Sequence, residues 1–103
     1  MVRVVFSPEA RTDLIEITDF LSDVAGPRVA RRYEVEIKRV IRNLRDMPST
    51  GSPRRQFGPN VRVLIVNPYL IFYEDASEGG EVLVLRILHG SRNIRRPCSG
   101  PDD

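Results

Sequence analysis

The chain has 103 residues, of which 41% are hydrophobic and 29% are charged, and this balance excludes a wholly disordered protein. Its 16 cations and 14 acids leave a formal net charge of +2, and Lys38 is the only cation that is not an arginine. No apolar run reaches the ~20 residues that a membrane span needs, and a single cysteine allows no internal disulfide. We therefore expect one cytoplasmic domain with no cofactor and no metal site.

The first half of the chain predicts one strand and two helices. Residues 2–6 are β-branched or aromatic except for Arg3, and they predict the strand. Ser7-Pro8-Glu9 predicts a helix start, because Ser caps, Pro suits the first turn and Glu faces the positive end of the helix dipole. Residues 26–27, Gly-Pro, end this helix and begin the second, which we expect to end at residues 47–48, Met-Pro. Apolar residues recur at intervals of mostly three or four: Ala10, Leu14, Ile17, Leu21 and Val24, then Ala30, Tyr33, Ile37, Val40, Ile41 and Leu44.

The second half predicts a loop and three strands. Residues 48–60 hold three prolines and two glycines and are typical of a loop. Strands are expected over residues 61–66, 69–74 and 82–89, and their short connections favour an antiparallel meander. The order is then β-α-α-β-β-β, an α+β fold with a helical hairpin packed on one face of a small, mainly antiparallel sheet. We assign residues 1–92 to one domain and residues 93–103 to a flexible basic tail rich in Pro and Gly.

The second half is also divided into blocks by the sign of its charge. Residues 51–73 have three cations and no acid, residues 74–81 have four acids and no cation, and residues 82–98 have four cations and no acid. Arginine makes planar, bidentate contacts with phosphate and carboxylate groups. The two basic blocks therefore suit an anionic partner.

Arg86 lies inside an otherwise apolar strand, and this placement is costly unless the guanidinium is paired or reaches an open groove. One hypothesis is an internal ion pair with an acid such as Glu74 or Asp75. The other is an anion-binding groove, shared with Arg62, on the sheet face away from the helices. His89 is three positions from Arg86, so strand alternation predicts that it points to the opposite face. His89 is either a hydrogen-bonded residue at a strand end or a general acid or base.

A set of short segments lies along the chain in a characteristic order and spacing. They are Phe6-Ser7-Pro8-Glu9-Ala10, Asp13-Leu14, Ile17, Ala30 with Tyr33, Leu44, Pro48, Gly51, Arg62, Tyr69-Leu70-Ile71-Phe72-Tyr73 and Val84-Leu85-Arg86-Ile87-Leu88-His89-Gly90-Ser91-Arg92. In this order and spacing the segments resemble toxins of the RelE/ParE superfamily of bacterial toxin–antitoxin systems, and more closely the ParE branch. The resemblance spans residues 5–92 and implies the same β-α-α-β-β-β fold.

The resemblance implies a toxin that inhibits DNA gyrase without being a nuclease, and that is neutralised by an antitoxin from the adjacent gene. The His-Gly-x-Arg ending at residues 89–92 favours this branch. One alternative is a RelE-like, metal-independent endoribonuclease that cuts mRNA on the ribosome and would bind nucleic acid directly. The absence of a tyrosine after His89 weakens that alternative. Another is a relative that binds an antitoxin but is not toxic.

The resemblance and the charge pattern together nominate basic residues for the site. If the chain is a nuclease, Arg62, Arg86 and His89 are the candidate catalytic groups. We expect the antitoxin to cover apolar surface on the helical hairpin and at the sheet edge. The candidate target-binding residues are Arg86, His89, Arg92 and Arg62, with Arg54, Arg55, Arg95 and Arg96 as a basic surround.

Overall fold

A computed structural model describes residues 2–75 and 80–91 of the chain. It confirms the expected α+β class, with two helices packed on one face of a five-stranded sheet. Single 3-10 turns at Asn43–Arg45 and Arg55–Phe57 complete the described elements. The strands and helices are β1 (Arg3–Phe6), α1 (Pro8–Ala25), α2 (Pro27–Arg42), β2 (Ser52–Pro53), β3 (Val61–Val66), β4 (Tyr69–Glu74) and β5 (Glu81–His89).

The sheet has the strand order β1-β5-β4-β3-β2. β1 pairs with β5 in parallel, whereas the other three pairs are antiparallel. A parallel pair needs a long crossover connection, and the chain between β1 and β5 supplies it. β2, which was not predicted from sequence, adds a two-residue pairing to β3. No helix among the described residues is long and apolar enough to cross a membrane.

The helix boundaries follow the local signals in the sequence. Ser7 caps α1, because its Oγ accepts a hydrogen bond from the Ala10 N–H at 3.0 Å. Gly26 ends α1 at φ +97°, a conformation that favours glycine, and α2 begins at the next residue. The prediction that α2 continues to residues 47–48 is wrong, since the α-helix ends at Arg42. The following 3-10 turn carries Leu44, which is fully buried against the sheet.

The main core lies between the helical hairpin and one face of the sheet. Successive strand residues point to opposite faces, so Phe72 on β4 faces away from this core. Phe72 belongs to a second cluster, in which Phe57 from the basic loop meets it edge-on at 5.6 Å. The buried residues of the main core are Ala10, Leu14, Ile37, Ile41, Val66, Tyr69, Ile71, Val84 and Ile87.

A β-bulge in β5 changes which of its side chains share a face. Tyr73 of β4 pairs with Val84, but the next residue back, Phe72, pairs with Arg86, so Leu85 is an extra residue without a partner in β4. Residues before and after the bulge therefore differ in phase by one position. Regular alternation along the strand predicts that Arg86 shares a face with Val82 and Val84, but the bulge places it on the opposite face, opposite Phe72.

The bulge also changes the expected neighbours of His89. Regular alternation predicts that His89 shares a face of the sheet with Leu83, Leu85 and Ile87. In the structure only Ile87 shares that face, because it is the only one of the three that follows the bulge. Leu85 packs instead with the cluster on the other face of the sheet. His89 pairs across the ladder with Tyr69. His89 therefore lies at the helix-facing side of the end of β5.

The loop before β2 is anchored by a buried tyrosine. The Tyr73 hydroxyl donates to the Pro48 carbonyl at 2.8 Å and accepts from the Gly51 N–H at 2.8 Å. Gly51 fits so closely that a Cβ there would lie 2.8 Å from the Tyr73 ring and 2.8 Å from the Val63 carbonyl. This position therefore has no room for a side chain.

We expect Gly51→Ala to lower the free energy of unfolding by about 1–3 kcal/mol, because the added methyl group must displace backbone or a packed ring. Gly80→Ala is the matched control, since a Cβ at Gly80 meets nothing within 4 Å. Urea unfolding followed by circular dichroism measures both variants. Equal stabilities of the two variants would show that the loop moves away from Tyr73 without cost.

Candidate active surface at the end of β5

The candidate site contains a bidentate ion pair between Arg86 on β5 and Asp13 on α1. Arg86 Nε donates to Asp13 Oδ2 at 2.7 Å, and Arg86 Nη2 donates to Asp13 Oδ1 at 3.0 Å. The Asp13 side chain is 9% exposed and the Arg86 side chain 28%. Such paired N–H···O bonds are among the stronger contacts in proteins. The structure therefore supports the hypothesis of an internal ion pair. The acid is Asp13, however, and not Glu74 or Asp75, which the sequence suggested.

Asp13 also completes the hydrogen bonding of β5. β1 ends at Phe6, so the outer edge of β5 beyond Val84 has no neighbouring strand. Asp13 Oδ2 accepts the backbone N–H of Ile87 at 2.9 Å, and this bond is buried. One carboxylate thus holds both the guanidinium and the exposed strand edge, and it connects α1 to the bulged part of β5.

The surroundings of Arg86 are acidic. The hydrogen bonds to Asp13 raise the pKa of Arg86 above its ordinary value, and the charges of Asp13, Glu9 and Glu16 act in the same direction against desolvation. One carboxylate on α1 therefore contacts the guanidinium, and two more act on its charge. The hypothesis of an open anion-binding groove around Arg86 conflicts with this arrangement. The negative charges of these carboxylates would repel a phosphate or another anion at this position.

His89 lies at the solvent-exposed end of β5. Its Nδ1 accepts the backbone N–H of Ser91 at 3.0 Å, so the neutral imidazole in this geometry carries its proton on Nε2. The ring meets Tyr69 edge-on with centroids 5.5 Å apart. An open cleft of about 220 Å³ lies between α1 and this strand end. Its lining residues are Asp13, Glu16, Ile17, Phe20, Tyr69, Ile87, Leu88 and His89.

Arg62 lies on β3 and is engaged elsewhere. Its Nε donates to Asp75 at 3.1 Å, and its Nη1 donates to the carbonyls of Gly51 at 2.7 Å and Ser49 at 3.2 Å. β4 separates β3 from β5, so Arg62 and Arg86 are on strands about 10 Å apart. The structure therefore does not bring these two arginines together, and Arg62 instead fixes the loop before β2.

The remaining predicted residues fall into two groups. Arg54 and Arg55 lie in the loop before β3, where Arg54 is half-buried and donates to the Pro53 carbonyl and Arg55 is exposed. Arg92, Arg95 and Arg96 lie outside the described residues.

Comparison with known proteins identifies the family of the chain. The family model described as ParE toxin of type II toxin-antitoxin system, parDE, matches residues 4–94 of the chain. The chain belongs to this ParE toxin family. The match includes both helices, residues 4–6 of β1 and the whole of β2 to β5, and with them Asp13, Arg86 and His89. No protein among curated sequences gives a significant match.

Two solved structures share the fold of this ParE-family chain. The chromosomal ParDE toxin–antitoxin system from P. aeruginosa contains a chain with a TM-score of 0.72 and 25% identity, over 86% of this chain and 96% of that one. The RelBE2 toxin–antitoxin complex from Mycobacterium tuberculosis contains one with a TM-score of 0.60 and 22% identity, over 85% and 96%. The predicted relation to RelE/ParE toxins is confirmed.

Sequence reasoning missed the role of Asp13, although a signal was present. Asp13 is one residue before Leu14 on the inner side of α1, where an acid is out of place unless it is paired. Arg86 is likewise the only charged side chain inside β5. Two isolated, opposite charges on elements that must pack together predict an ion pair.

This ParE-family chain should lose stability at alkaline pH because two of its tyrosines are buried. Burial raises the pKa of Tyr73 despite opposing contributions from the Gly51 amide and Arg62, and burial also raises the pKa of Tyr69. Unfolded tyrosine loses its proton near pH 10, while the folded protein keeps both, so the free energy of unfolding should fall as pH rises above about 10. Urea unfolding at a series of pH values measures the slope. Tyr73→Phe should reduce it, and an unchanged slope in that variant would contradict the assignment.

Proposed function

We propose that this ParE-family chain is a toxin that inhibits DNA gyrase in the cytoplasm and is neutralised by a cognate antitoxin from the adjacent gene. The observation that carries the proposal is the ParE family match over residues 4–94. The His-Gly-x-Arg sequence at residues 89–92 resembles the ending of the ParE branch and supports the same target. On this proposal the chain acts by binding and not as an enzyme.

The ion pairs of the two candidate arginines favour gyrase inhibition over the nuclease alternative. A metal-independent nuclease needs cations that are free to neutralise the scissile phosphate in the transition state. Arg86 is held by Asp13, and Arg62 is held by Asp75 and two loop carbonyls. Both guanidinium groups would first have to leave these partners. This requirement opposes phosphate binding at either residue.

We assign different roles to the candidate residues. His89, together with Arg92, contacts the target, and Arg54, Arg55, Arg95 and Arg96 form a basic surround. Arg86 acts as a positioning residue, because its bonds to Asp13 fix the part of β5 that leads to His89. Arg62 positions the loop before β2 through its bonds to the Ser49 and Gly51 carbonyls.

Induction of the chain in bacteria, with and without the adjacent gene, tests the proposal. Gyrase inhibition predicts that growth stops and that reporter plasmids lose negative supercoils on topoisomer gels, while ribosome-bound mRNA remains intact. Coexpression of the adjacent gene should restore both growth and supercoiling.

Each alternative gives a different pattern in the same experiment. Cleaved mRNA with normal supercoiling would support the ribosome-dependent nuclease and contradict gyrase inhibition. Normal growth and supercoiling, with tight binding to the product of the adjacent gene, would support the non-toxic relative.

A further inference from the structure

The part of β5 that extends beyond β1 is covered by the chain itself. The Ser7 N–H donates to the Val84 carbonyl at 2.9 Å, and the Ser7 hydroxyl donates to the Leu85 carbonyl at 2.9 Å. Asp13 accepts the Ile87 N–H beyond this point. Uncovered strand edges present free backbone donors and acceptors that pair readily with another chain. This stretch of β5 is protected from such pairing.

The opposite edge, formed by β3, is covered over only part of its length. β2 has two residues and pairs with Val63 and Arg62, and the Arg54 N–H bonds the Val61 carbonyl at 2.8 Å. That bond shows that Val61 directs its backbone groups away from β4, and by alternation so does Ile65. Among the described residues, none pairs with the outer side of Ile65.

Ile65 gives this open edge an exposed apolar surface. Its side chain is 63% exposed, and the residues on either side of it, Leu64 and Val66, are apolar as well. Natural proteins usually protect such an edge with a charged side chain, a proline or a bulge. β3 has none of these at residues 64–66. The edge is therefore suited to pairing with an added strand.

The helix beside this edge determines the charge of a suitable partner. Residues spaced by three or four positions lie on the same face of a helix. By this spacing, five arginines of α2 share the outward face on which the half-exposed Val35 lies. An open cavity of about 550 Å³ lies between α2 and the end of β3, and its lining includes Arg32, Val35 and Val66. It also includes Glu36, which is paired with Arg39 at 2.6 Å, so Arg32 is the arginine of this cavity that a partner's carboxylate would meet. The five arginines are Arg28, Arg31, Arg32, Arg39 and Arg42.

We propose that an extended, acidic segment of the antitoxin adds to the sheet as a strand beside β3 at Ile65, with its carboxylates near Arg32. This inference rests on the proposed function, since it names the surface that the antitoxin would occupy. A second copy of this chain is a poorer occupant of the same edge. Two-fold pairing of two β3 strands would place the arginine-rich faces of both α2 helices side by side, and like charges repel.

The test uses the full chain and the purified product of the adjacent gene, with affinity measured by calorimetry. Ile65→Pro removes the outward N–H, and an edge strand tolerates proline where its N–H faces solvent. Ile65→Thr keeps that N–H and the β-branched shape, so it separates backbone pairing from side-chain contact. Arg32→Glu reverses the nearby charge, and Arg11→Glu makes the same change on exposed α1. Thermal unfolding confirms that each variant is folded.

We expect Ile65→Pro and Arg32→Glu each to weaken antitoxin binding by about tenfold or more, as loss of a charge-assisted or backbone hydrogen bond does. Arg11→Glu should stay within about twofold of wild type, and the Ile65 amide should become protected from hydrogen exchange in the complex.

Three outcomes would overturn this proposal while leaving the proposed function intact. The first is a tight complex whose affinity is unchanged in Ile65→Pro and Arg32→Glu. The second is an Ile65 amide that exchanges equally fast in the free chain and the complex. The third is concentration-dependent protection of that amide in the free chain, which would assign the edge to a second copy. If wild type itself fails to bind the product of the adjacent gene, the antitoxin part of the proposed function is wrong, and this inference is wrong with it.

Discussion

Replacing Asp13 with alanine should lower the free energy of unfolding by about 2–4 kcal/mol, the larger of the stability effects that we expect. The substitution removes the acceptor of two hydrogen bonds from Arg86 and one from the Ile87 N–H. It also leaves a guanidinium with a 28% exposed side chain beside an apolar core. The partial exposure of Arg86 lets water screen its charge, so the effect should remain below that of a fully buried pair.

Two other substitutions on α1 separate the contributions of Asp13. Asp13→Asn keeps an oxygen that accepts the Ile87 N–H and should cost less than Asp13→Ala. Asp23→Ala removes an exposed acid from the same helix and should change stability by about 0.5 kcal/mol or less. A double-mutant cycle with Arg86→Ala gives the coupling energy directly. Equal stabilities of Asp13→Ala and Asp23→Ala would show that the ion pair contributes nothing to the fold.

His89→Ala should reduce gyrase inhibition by about tenfold or more, because a polar contact at a binding surface contributes about 1.5–3 kcal/mol when it involves a charged group. The stability of His89→Ala should be close to that of wild type. His89 is exposed, and among the described residues its imidazole forms hydrogen bonds only with Ser91. Supercoiling assays over a range of toxin concentrations measure the effect. Full inhibition by folded His89→Ala would remove His89 from the target-binding surface.

Arg86→Ala provides the comparison that distinguishes a positioning residue from a contact residue. Because Arg86 acts through Asp13, its loss should reduce inhibition chiefly by lowering the folded fraction. Inhibition per folded molecule should then stay close to that of wild type, and total inhibition should recover at low temperature, where more of the variant is folded. A fully folded Arg86→Ala that inhibits gyrase as poorly as His89→Ala would instead place Arg86 in contact with the target.

Features that depend on neighbouring residues in the sequence were predicted correctly. Ser7 caps α1, and Gly26 separates the two helices, because both effects act through backbone bonds within one turn. The three C-terminal strands were also recovered, since their apolar runs are bounded by clear turn residues. The helical hairpin on one face of the sheet followed from these elements.

Features that depend on pairing between distant segments were not predicted. The bulge at Leu85 arises from the register between β4 and β5, and a strand sequence alone does not specify its register. For the same reason, alternation grouped Arg86 and His89 with the wrong residues before the bulge, although the prediction that these two side chains point to opposite faces is confirmed. The partner of Arg86 is 73 residues away, so identifying it required knowledge of how α1 lies against β5.

The most direct test of the central claim is supercoiling of relaxed plasmid by purified gyrase in the presence of this chain. We expect the chain to stop supercoiling in a concentration-dependent manner, and the antitoxin, added first, to prevent this. Uninhibited supercoiling at a large excess of folded toxin, together with cleavage of mRNA on purified ribosomes, would contradict it.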